Sequence, residues 1–176
     1  MGTDKAFVML DGETLLARAL RLCHTLTNDV RIVGERKKFA AFAPVVEDIF
    51  PGCGPLGGIH AALHGSQSDL NLILAVDMPF ISPGLLKFLV AGARQSAAAV
   101  TVPRAARAWQ PLCAIYRKIF AESAEAALKA GRYKIDALFD RLSTHVIEED
   151  ALAKAGFAAS VFQNVNTPED LAELSS

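Results

Sequence analysis

The sequence predicts an α/β protein in which helices cover both faces of a mostly parallel sheet, a three-layer α/β/α arrangement. Apolar runs of strand length alternate with amphipathic segments of helical spacing, and this alternation is typical of βαβ units. The run 72–76 is apolar without interruption and therefore predicts a strand that is buried on both faces. The 176 residues, of which 52% are hydrophobic, suffice for one domain with a sizeable core but not for two.

The individual elements are predicted from apolar spacing and from residues that start or stop helices. Pro44 stops the second helix, Ser82 and Pro83 supply the cap and first turn of the fourth, and Gly131 closes the fifth. Thr167, followed by a proline, predicts a last helix. Strands are predicted over 30–33, 45–46, 72–76, 97–102, 111–116 and 145–147, and helices over 14–26, 35–43, 58–67, 82–95, 117–130 and 134–142.

The acid that follows the buried strand is the first candidate for chemistry. Asp77 comes directly after the apolar run, and Pro79 prevents the strand from continuing. Ligands of open parallel sheets bind at the carboxyl ends of the strands, where Mg²⁺ can combine a few carboxylates with water and substrate phosphates. Asp77 could instead cap the next helix, but Ser82 and Pro83 already perform that task. The pattern therefore predicts that Asp77 is a Mg²⁺ ligand.

A glycine-rich loop, residues 50–58, is the second candidate. It contains four glycines and two prolines in nine residues, whereas a plain strand-to-helix turn needs about one glycine. Such a loop lets backbone approach a ligand closely, and its N–H groups can bind an anion where the next helix begins. Asp48 precedes the loop, and Lys5 adds a cation near a glycine at the chain start. With Asp77 this set fits nucleotidyl transfer, but it would also fit many sugar or nucleotide binders.

Other polar residues carry weaker signals. His60 and His64 lie one helical turn apart and could bind a metal, but no third ligand is evident, which favours a solvated or cleft-lining helix face. Arg104 and Arg107 could hold a phosphorylated second substrate or could simply be surface residues of a loop. Cys53 lies in the glycine-rich loop, where nothing nearby would activate it as a nucleophile.

Composition excludes several classes of protein. A net charge of −1 without a basic run argues against nucleic-acid binding. No apolar segment is long enough to cross a membrane, and the opening residues are not typical of a signal peptide. The three cysteines form neither a disulfide framework nor a metal-binding pair, which predicts a cytoplasmic protein.

Five motifs occur in an order that resembles a known family, from the first residue nearly to the last. The sequence is similar to the molybdenum cofactor guanylyltransferases, the molybdopterin-guanine dinucleotide biosynthesis protein A family, within a wider group of nucleotidyltransferases with a Rossmann-like sheet. The motifs are Met-Gly-Thr-Asp-Lys-Ala (1–6), Pro-Gly-Cys-Gly-Pro-Leu-Gly-Gly-Ile (51–59) after Asp48, Ala-Val-Asp-Met-Pro-Phe (75–80), Gln-Pro-Leu (110–112) and Asn-Val-Asn-Thr-Pro-Glu-Asp-Leu (164–171).

The resemblance implies transfer of GMP from GTP to the terminal phosphate of molybdenum-carrying molybdopterin, with release of pyrophosphate. It also implies proteins of molybdoenzyme maturation as partners. Asp77 would bind Mg²⁺ and the GTP phosphates, and GTP would also be contacted by Lys5 and Asp48. The junction of the two substrates would be lined by Leu56, Gly57 and Gly58. Asn164 and Asn166 would lie on the molybdopterin side.

The sequence departs from the family at its start. Members carry an apolar strand and a Leu-Ala-Gly-Gly-x-Ser-x-Arg loop directly before the Met-Gly-x-Asp-Lys motif, and here the sequence begins at that methionine. We therefore expect the single domain 1–176 to lack the first strand, which lies in the middle of the sheet, together with the loop that holds guanine and phosphates and its catalytic arginine. Loss of that strand would expose ladder groups and an apolar slot, so we expect a chain that is poorly active or inactive as it stands.

Three alternatives to guanylyl transfer remain open at this point. They are cytidylyl transfer to the same pterin, nucleotidyl transfer to a sugar phosphate, and non-catalytic binding of pterin or nucleotide by a truncated domain. The absent loop would largely determine which base of the nucleotide donor is accepted. Val33 and Gly34 are a second departure, because some members carry an asparagine for the nucleotide there.

Overall fold

A computed structural model describes residues 4–140 and 142–165, along which strands and helices alternate. The strands are β1 (Met9–Leu10), β2 (Glu13–Thr14), β3 (Ile32–Val33), β4 (Val45–Val46), β5 (Leu70–Leu74), β6 (Val100–Ala105), β7 (Ala108–Trp109), β8 (Cys113–Arg117) and β9 (Thr144–Ile147). The helices are α1 (Leu15–His24), α2 (Arg36–Phe39), α3 (Gly54–Gly65), α4 (Pro83–Gln95), α5 (Phe120–Lys129), α6 (Asp136–Phe139) and α7 (Glu149–Lys154), with short 3₁₀ helices at Lys5–Phe7 and Ala159–Phe162. None of these helices is long and apolar enough to cross a bilayer. The predicted last helix, from Thr167, lies outside the described residues.

The large sheet has the strand order β5-β8-β6-β7, with β9 paired to β6. The strand β8 runs antiparallel to both β5 and β6, whereas β9 is parallel to β6. The predicted α/β class is confirmed, but the large sheet is mixed rather than mostly parallel. The reason is the connection from β6 to β8, which is a hairpin through β7 without a helix, and parallel neighbours need a longer crossover.

Helices pack on both faces of this sheet, as the three-layer prediction requires. The side chains of β8 alternate between two cores: Ala114 and Tyr116 pack with α3 and α5, while Cys113 and Ile115 pack with α1, α4 and α7. This alternation is the period of two that a strand imposes on its side chains. The two cores hold the sheet between two layers of helices.

The strand before Asp77 differs from its prediction in both position and burial. It covers Leu70–Leu74 rather than 72–76, and each of its five residues is only half-buried. Among the described residues β5 pairs with β8 alone, so it lies at an edge of the large sheet. Beyond that edge is a groove of about 920 Å³, and β3 and β4 form a separate parallel pair that also contributes to its lining.

Candidate functional site

Asp77 lies just beyond the carboxyl end of β5. The ladder with β8 continues for one more bond, from the Ala75 N–H to the Leu112 carbonyl at 2.7 Å, and then stops. The Asp77 side chain is 17% exposed, so its carboxylate is sheltered but still reachable by a ligand. The Leu85 N–H donates to Ser82 Oγ at 3.2 Å, which confirms that Ser82 caps α4. Asp77 is therefore not needed as a cap.

Lys5 meets Asp77 across 72 positions of sequence, with Lys5 Nζ 3.3 Å from Asp77 Oδ2. A short 3₁₀ helix holds Lys5 in place, and Asp4 caps this helix by accepting the Ala6 N–H at 3.0 Å on its Oδ1. The Asp4 carboxylate also forms an ion pair with the Lys38 ammonium. Two of the residues predicted from sequence therefore come together as an acid and a cation at one edge of the sheet.

The carboxyl-terminal part of the described chain also reaches this edge. The buried residue Val165 donates its N–H to the Asp77 carbonyl oxygen at 2.8 Å. Its neighbour Asn164 is exposed beside that contact, where it can face a ligand. The backbone bond was not predicted, and no sequence signal points to it. Asn166 lies outside the described residues.

The glycine-rich loop turns directly into α3. Gly52 and Gly54 have φ of +77° and +66°, a conformation that residues with a Cβ rarely adopt. The helix begins at Gly54, earlier than the predicted Gly58, with Pro55 in its first turn. The first N–H groups of an α-helix have no partner within the helix, and in α3 the side chain of Cys53 does not cap them. Such a helix start favours an anion.

Two of the residues predicted to line the substrate junction, Leu56 and Gly57, are buried. A Cβ at Gly57 would lie 3.0 Å from the Phe50 carbonyl oxygen, a very tight contact, so glycine favours this close packing of the helix on the loop. Leu56 is fully buried in the core shared by α3 and α5. Its side chain therefore cannot line a substrate junction, and a contact of Leu56 or Gly57 with substrates would have to use backbone atoms.

Asp48 and Gly58 are neighbours in the structure. A Cβ at Gly58 would lie 3.9 Å from Asp48 Oδ1 and 3.5 Å from Val33 Cγ1, which are ordinary contact distances. Asp48 is exposed, and all three residues line the groove between β3 and β5. The structure thus places the predicted acid against the loop that the sequence marked for ligand binding, with Val33 opposite.

Among the weaker candidates, the two histidines of α3 differ in burial. His60 is buried with its ring 5.2 Å from that of Phe50, and burial lowers its pKa, while His64 is exposed and stacks on it at 5.8 Å. The predicted solvated or cleft-lining face therefore fits His64 only. Arg104 lies over the Trp109 ring, 5.3 Å from its centroid, at the exposed β6–β7 hairpin.

The described residues contain no group of three or more histidine, cysteine, aspartate or glutamate side chains arranged to bind a metal. A closed metal centre, which needs four such ligands, is therefore not formed by residues 4–140 and 142–165. Asp77 supplies a single accessible carboxylate at a strand end. That donor fits Mg²⁺ carried with a triphosphate, since this ion commonly uses one or two carboxylates together with substrate phosphates.

The family match and the relatives found by sequence comparison agree with each other. Residues 1–164 match the MobA-like NTP transferase domain. A probable molybdenum cofactor guanylyltransferase from Pelotomaculum thermopropionicum is 33% identical over 173 residues, which cover 97% of this chain and 83% of that protein. A molybdenum cofactor guanylyltransferase from Desulfosudis oleivorans is 32% identical over 97% of this chain and 85% of its own length.

Solved structures agree with these sequence relatives. Molybdopterin-guanine dinucleotide biosynthesis protein A from Archaeoglobus fulgidus superposes with a TM-score of 0.83 at 29% identity, covering 98% of this chain and 89% of its own. A 2-C-methyl-D-erythritol 4-phosphate cytidylyltransferase from Thermus thermophilus has a TM-score of 0.69 at 20% identity over 96% of this chain and 91% of its own, a likeness of fold alone. The sequence match and the shared fold agree with each other, and the chain belongs to the MobA-like NTP transferase family, a family of nucleotidyltransferases.

Proposed function

We propose that this chain transfers GMP from GTP to the terminal phosphate of molybdenum-carrying molybdopterin, releasing pyrophosphate. The observation that carries the proposal is the edge at the end of β5, where Asp77 meets Lys5 through its carboxylate and Val165 through its backbone. The names of the curated relatives, molybdenum cofactor guanylyltransferases, support the choice of GTP and of the pterin acceptor.

The triphosphate would be contacted directly by a cation and by backbone N–H groups, and a carboxylate would act on it through Mg²⁺. Lys5 offers a cation and the start of α3 offers N–H groups, and both favour phosphate oxygens. Asp77 would hold Mg²⁺, whose charge, when it is bound, would neutralise part of the triphosphate. Asp48, exposed beside Gly58, would accept hydrogen bonds from the hydroxyl or amino groups of the nucleoside.

The reaction itself asks little covalent chemistry of the protein. An oxygen of the acceptor phosphate attacks the α-phosphorus of GTP, a new oxygen–phosphorus bond forms, and the bond to the bridging oxygen of the β-phosphate breaks. Pyrophosphate leaves with that oxygen and the electron pair of the broken bond. The protein contributes alignment of the two phosphates and compensation of their charge, and Lys5 is the described cation in contact with Asp77.

The acceptor would approach from the side of the carboxyl-terminal segment. Asn164 is exposed next to the residue that bonds to Asp77, and its amide can both donate to and accept from a pterin. Its role, that of Asn166 and delivery by proteins of molybdoenzyme maturation are parts of the proposal. A cytoplasmic location is supported by the three cysteines, all of which are free thiols.

The experiment is a pyrophosphate-release assay with molybdenum-carrying molybdopterin as acceptor and GTP or CTP as donor, accompanied by binding titrations of both nucleotides. We expect GTP to be preferred in binding and in release, and release to require the acceptor. Faster release with CTP would contradict the choice of guanine. Binding of nucleotide and pterin without any release, also in a form extended at its amino end, would instead identify a non-catalytic binding module.

A further inference from the structure

Arg104 is the one exposed residue of β6, whose other five residues are buried. It stands opposite Trp109 in the β6–β7 hairpin, and its guanidinium carbon lies 5.3 Å from the centroid of the Trp109 ring. This distance is typical of a cation–π contact. Within residues 4–140 and 142–165, Arg104 forms neither an ion pair nor a side-chain hydrogen bond. Its N–H groups are therefore available to a ligand.

The register of the large sheet places this hairpin at the edge that carries Asp77. Strands β5 and β6 both run antiparallel to β8, so they are parallel to each other and end at the same edge. In the register with β8, continued by two residues along β6, Leu74 and Pro103 both stand level with Cys113. Arg104 is the next residue, and two strand spacings, roughly 10 Å, separate its strand from the one that leads to Asp77.

Arg104 also shares a face of the sheet with the glycine-rich loop. Val102 packs into the core that α3 and α5 share, and the alternation of side chains along a strand places Arg104 on that same face. Trp109 packs against this core as well, and so do Phe50 and Cys53 of the loop. The guanidinium therefore stands at the edge and on the face where α3 begins.

The hairpin that carries Arg104 is anchored from both faces of the sheet. The Ala106 N–H donates to Glu149 Oε2 at 2.7 Å, and Glu149 is the first residue of α7. Helix α7 packs into the core on the opposite face, so Glu149 holds the turn from the side away from Arg104. The Trp109 ring meets the Phe139 ring edge-on, with centroids 5.2 Å apart. A cation on an anchored hairpin loses little freedom when a ligand binds.

The proposed transfer has a place for a cation on the side of Asp77 away from GTP. Lys5 meets Asp77, and its neighbour Ala6 lines the groove beyond β5. Asp48 and Gly58 line the same groove. The groups proposed to bind GTP thus lie on the groove side of β5, whereas the hairpin lies on the side of β8.

The reaction geometry selects the ligand of Arg104. The attacking and leaving oxygens of a phosphoryl transfer are roughly in line, so the acceptor phosphate approaches from the side opposite the departing pyrophosphate. This approach brings two anions together, and a cation on the acceptor side offsets their repulsion. A guanidinium suits the task because it can bind a phosphate with two parallel hydrogen bonds.

We propose that Arg104 binds the terminal phosphate of the acceptor, with the Trp109 ring holding its guanidinium in place. The inference rests on the proposed function for the identity of the acceptor, and it adds a specificity-determining cation to that function. Pyrophosphate and the planar pterin ring are the other ligands at this edge that a guanidinium accepts. Binding experiments with matched ligands separate these three.

The test is calorimetric titration with molybdenum-carrying molybdopterin, with the same pterin lacking its terminal phosphate, with GTP and with pyrophosphate. We expect Arg104→Ala to raise the Kd of the phosphorylated pterin by about tenfold to a hundredfold, and Arg104→Lys to raise it less. The Kd values of the other three ligands should stay unchanged. The control Arg94→Ala removes an exposed arginine in the last turn of α4 and should bind all four ligands as the parent does.

Two results of these titrations would overturn the proposal. An equal loss for both forms of the pterin would show that Arg104 contacts the ring or acts only through folding. A loss confined to GTP or pyrophosphate would assign Arg104 to the nucleotide.

A second measurement needs no pterin. Trp109 is the only tryptophan of the chain, so its fluorescence reports on the ring that Arg104 covers. Inorganic phosphate, compared with chloride at the same ionic strength, should change the emission of the parent to saturation and leave that of Arg104→Ala unchanged. No saturable change in the parent, or the same change in both proteins, would overturn the proposal. A response to phosphate in a parent that binds no pterin would instead refute the proposed acceptor and keep Arg104 as the phosphate site of another acceptor.

Discussion

Substitution of the paired glycines in α3 tests whether they have the separate roles that the structure gives them. In both positions alanine favours the helix by about 1 kcal/mol over glycine. At Gly57 the added methyl would lie 3.0 Å from the Phe50 carbonyl oxygen, and overpacking of this kind costs about 1–3 kcal/mol. At Gly58 it would meet Val33 at 3.5 Å and Asp48 at 3.9 Å without a clash. We expect Gly57→Ala to be less stable than Gly58→Ala by about 1–3 kcal/mol.

Urea unfolding of the two variants measures that difference, provided that the slope with denaturant is unchanged. In a domain of this size each kcal/mol also corresponds to about 2–4 °C in Tm. A titration with GTP should show the reverse order, because a methyl at Gly58 intrudes between Val33 and Asp48, and we expect its Kd to rise about tenfold. Equal stability of Gly57→Ala and Gly58→Ala would refute the close packing of α3 on the loop.

Two further predictions concern acid stability and the β6–β7 hairpin. Burial lowers the pKa of His60 below its unfolded value of about 6.5, so the unfolded chain takes up the proton more readily and stability falls as pH drops below that value. The free energy of unfolding of His60→Leu should therefore fall less between pH 7 and pH 5 than that of the parent, and parallel pH profiles for the two proteins would contradict this. Arg107, in the β6–β7 turn, has a φ of 62°, a conformation that favours glycine. Arg107→Gly should therefore raise the free energy of unfolding by about 0.5–1 kcal/mol, while Ala108→Gly, in the following strand, should lower it. A lower free energy of unfolding in both variants would argue against strain in this turn.

The sequence predicted the position of Asp77 better than the sheet around it. An acid released by an apolar run is a local signal, and Asp77 lies at the strand end with Lys5 beside it. The glycine-rich loop was likewise found, since Gly52 and Gly54 do adopt positive φ. The helix after it begins four residues earlier than predicted, because glycine's low helix propensity masked a first turn that Gly54 and Pro55 form.

The strand directions and the burial of β5 depend on distant neighbours. The β6–β7 turn uses Ala106 and Arg107 at positive φ, where glycine or asparagine would have signalled a hairpin. The absence of a predicted helix between residues 102 and 111 was the usable sign that β8 reverses. An apolar run alone cannot show which neighbours a strand has, and β5 has a partner on one side only among the described residues.

The most direct measurement compares Asp77→Asn with Asp69→Asn, two neutralised acids just outside opposite ends of the same strand. Pyrophosphate release from GTP would be measured with Mg²⁺ and molybdenum-carrying molybdopterin, in whichever form turns over faster, the chain alone or a form extended at its amino end. Loss of the Asp77 charge should lower turnover by about a hundredfold or more, while Asp69→Asn should keep the parent rate. Full activity of Asp77→Asn would contradict the assignment of the catalytic site to the end of β5.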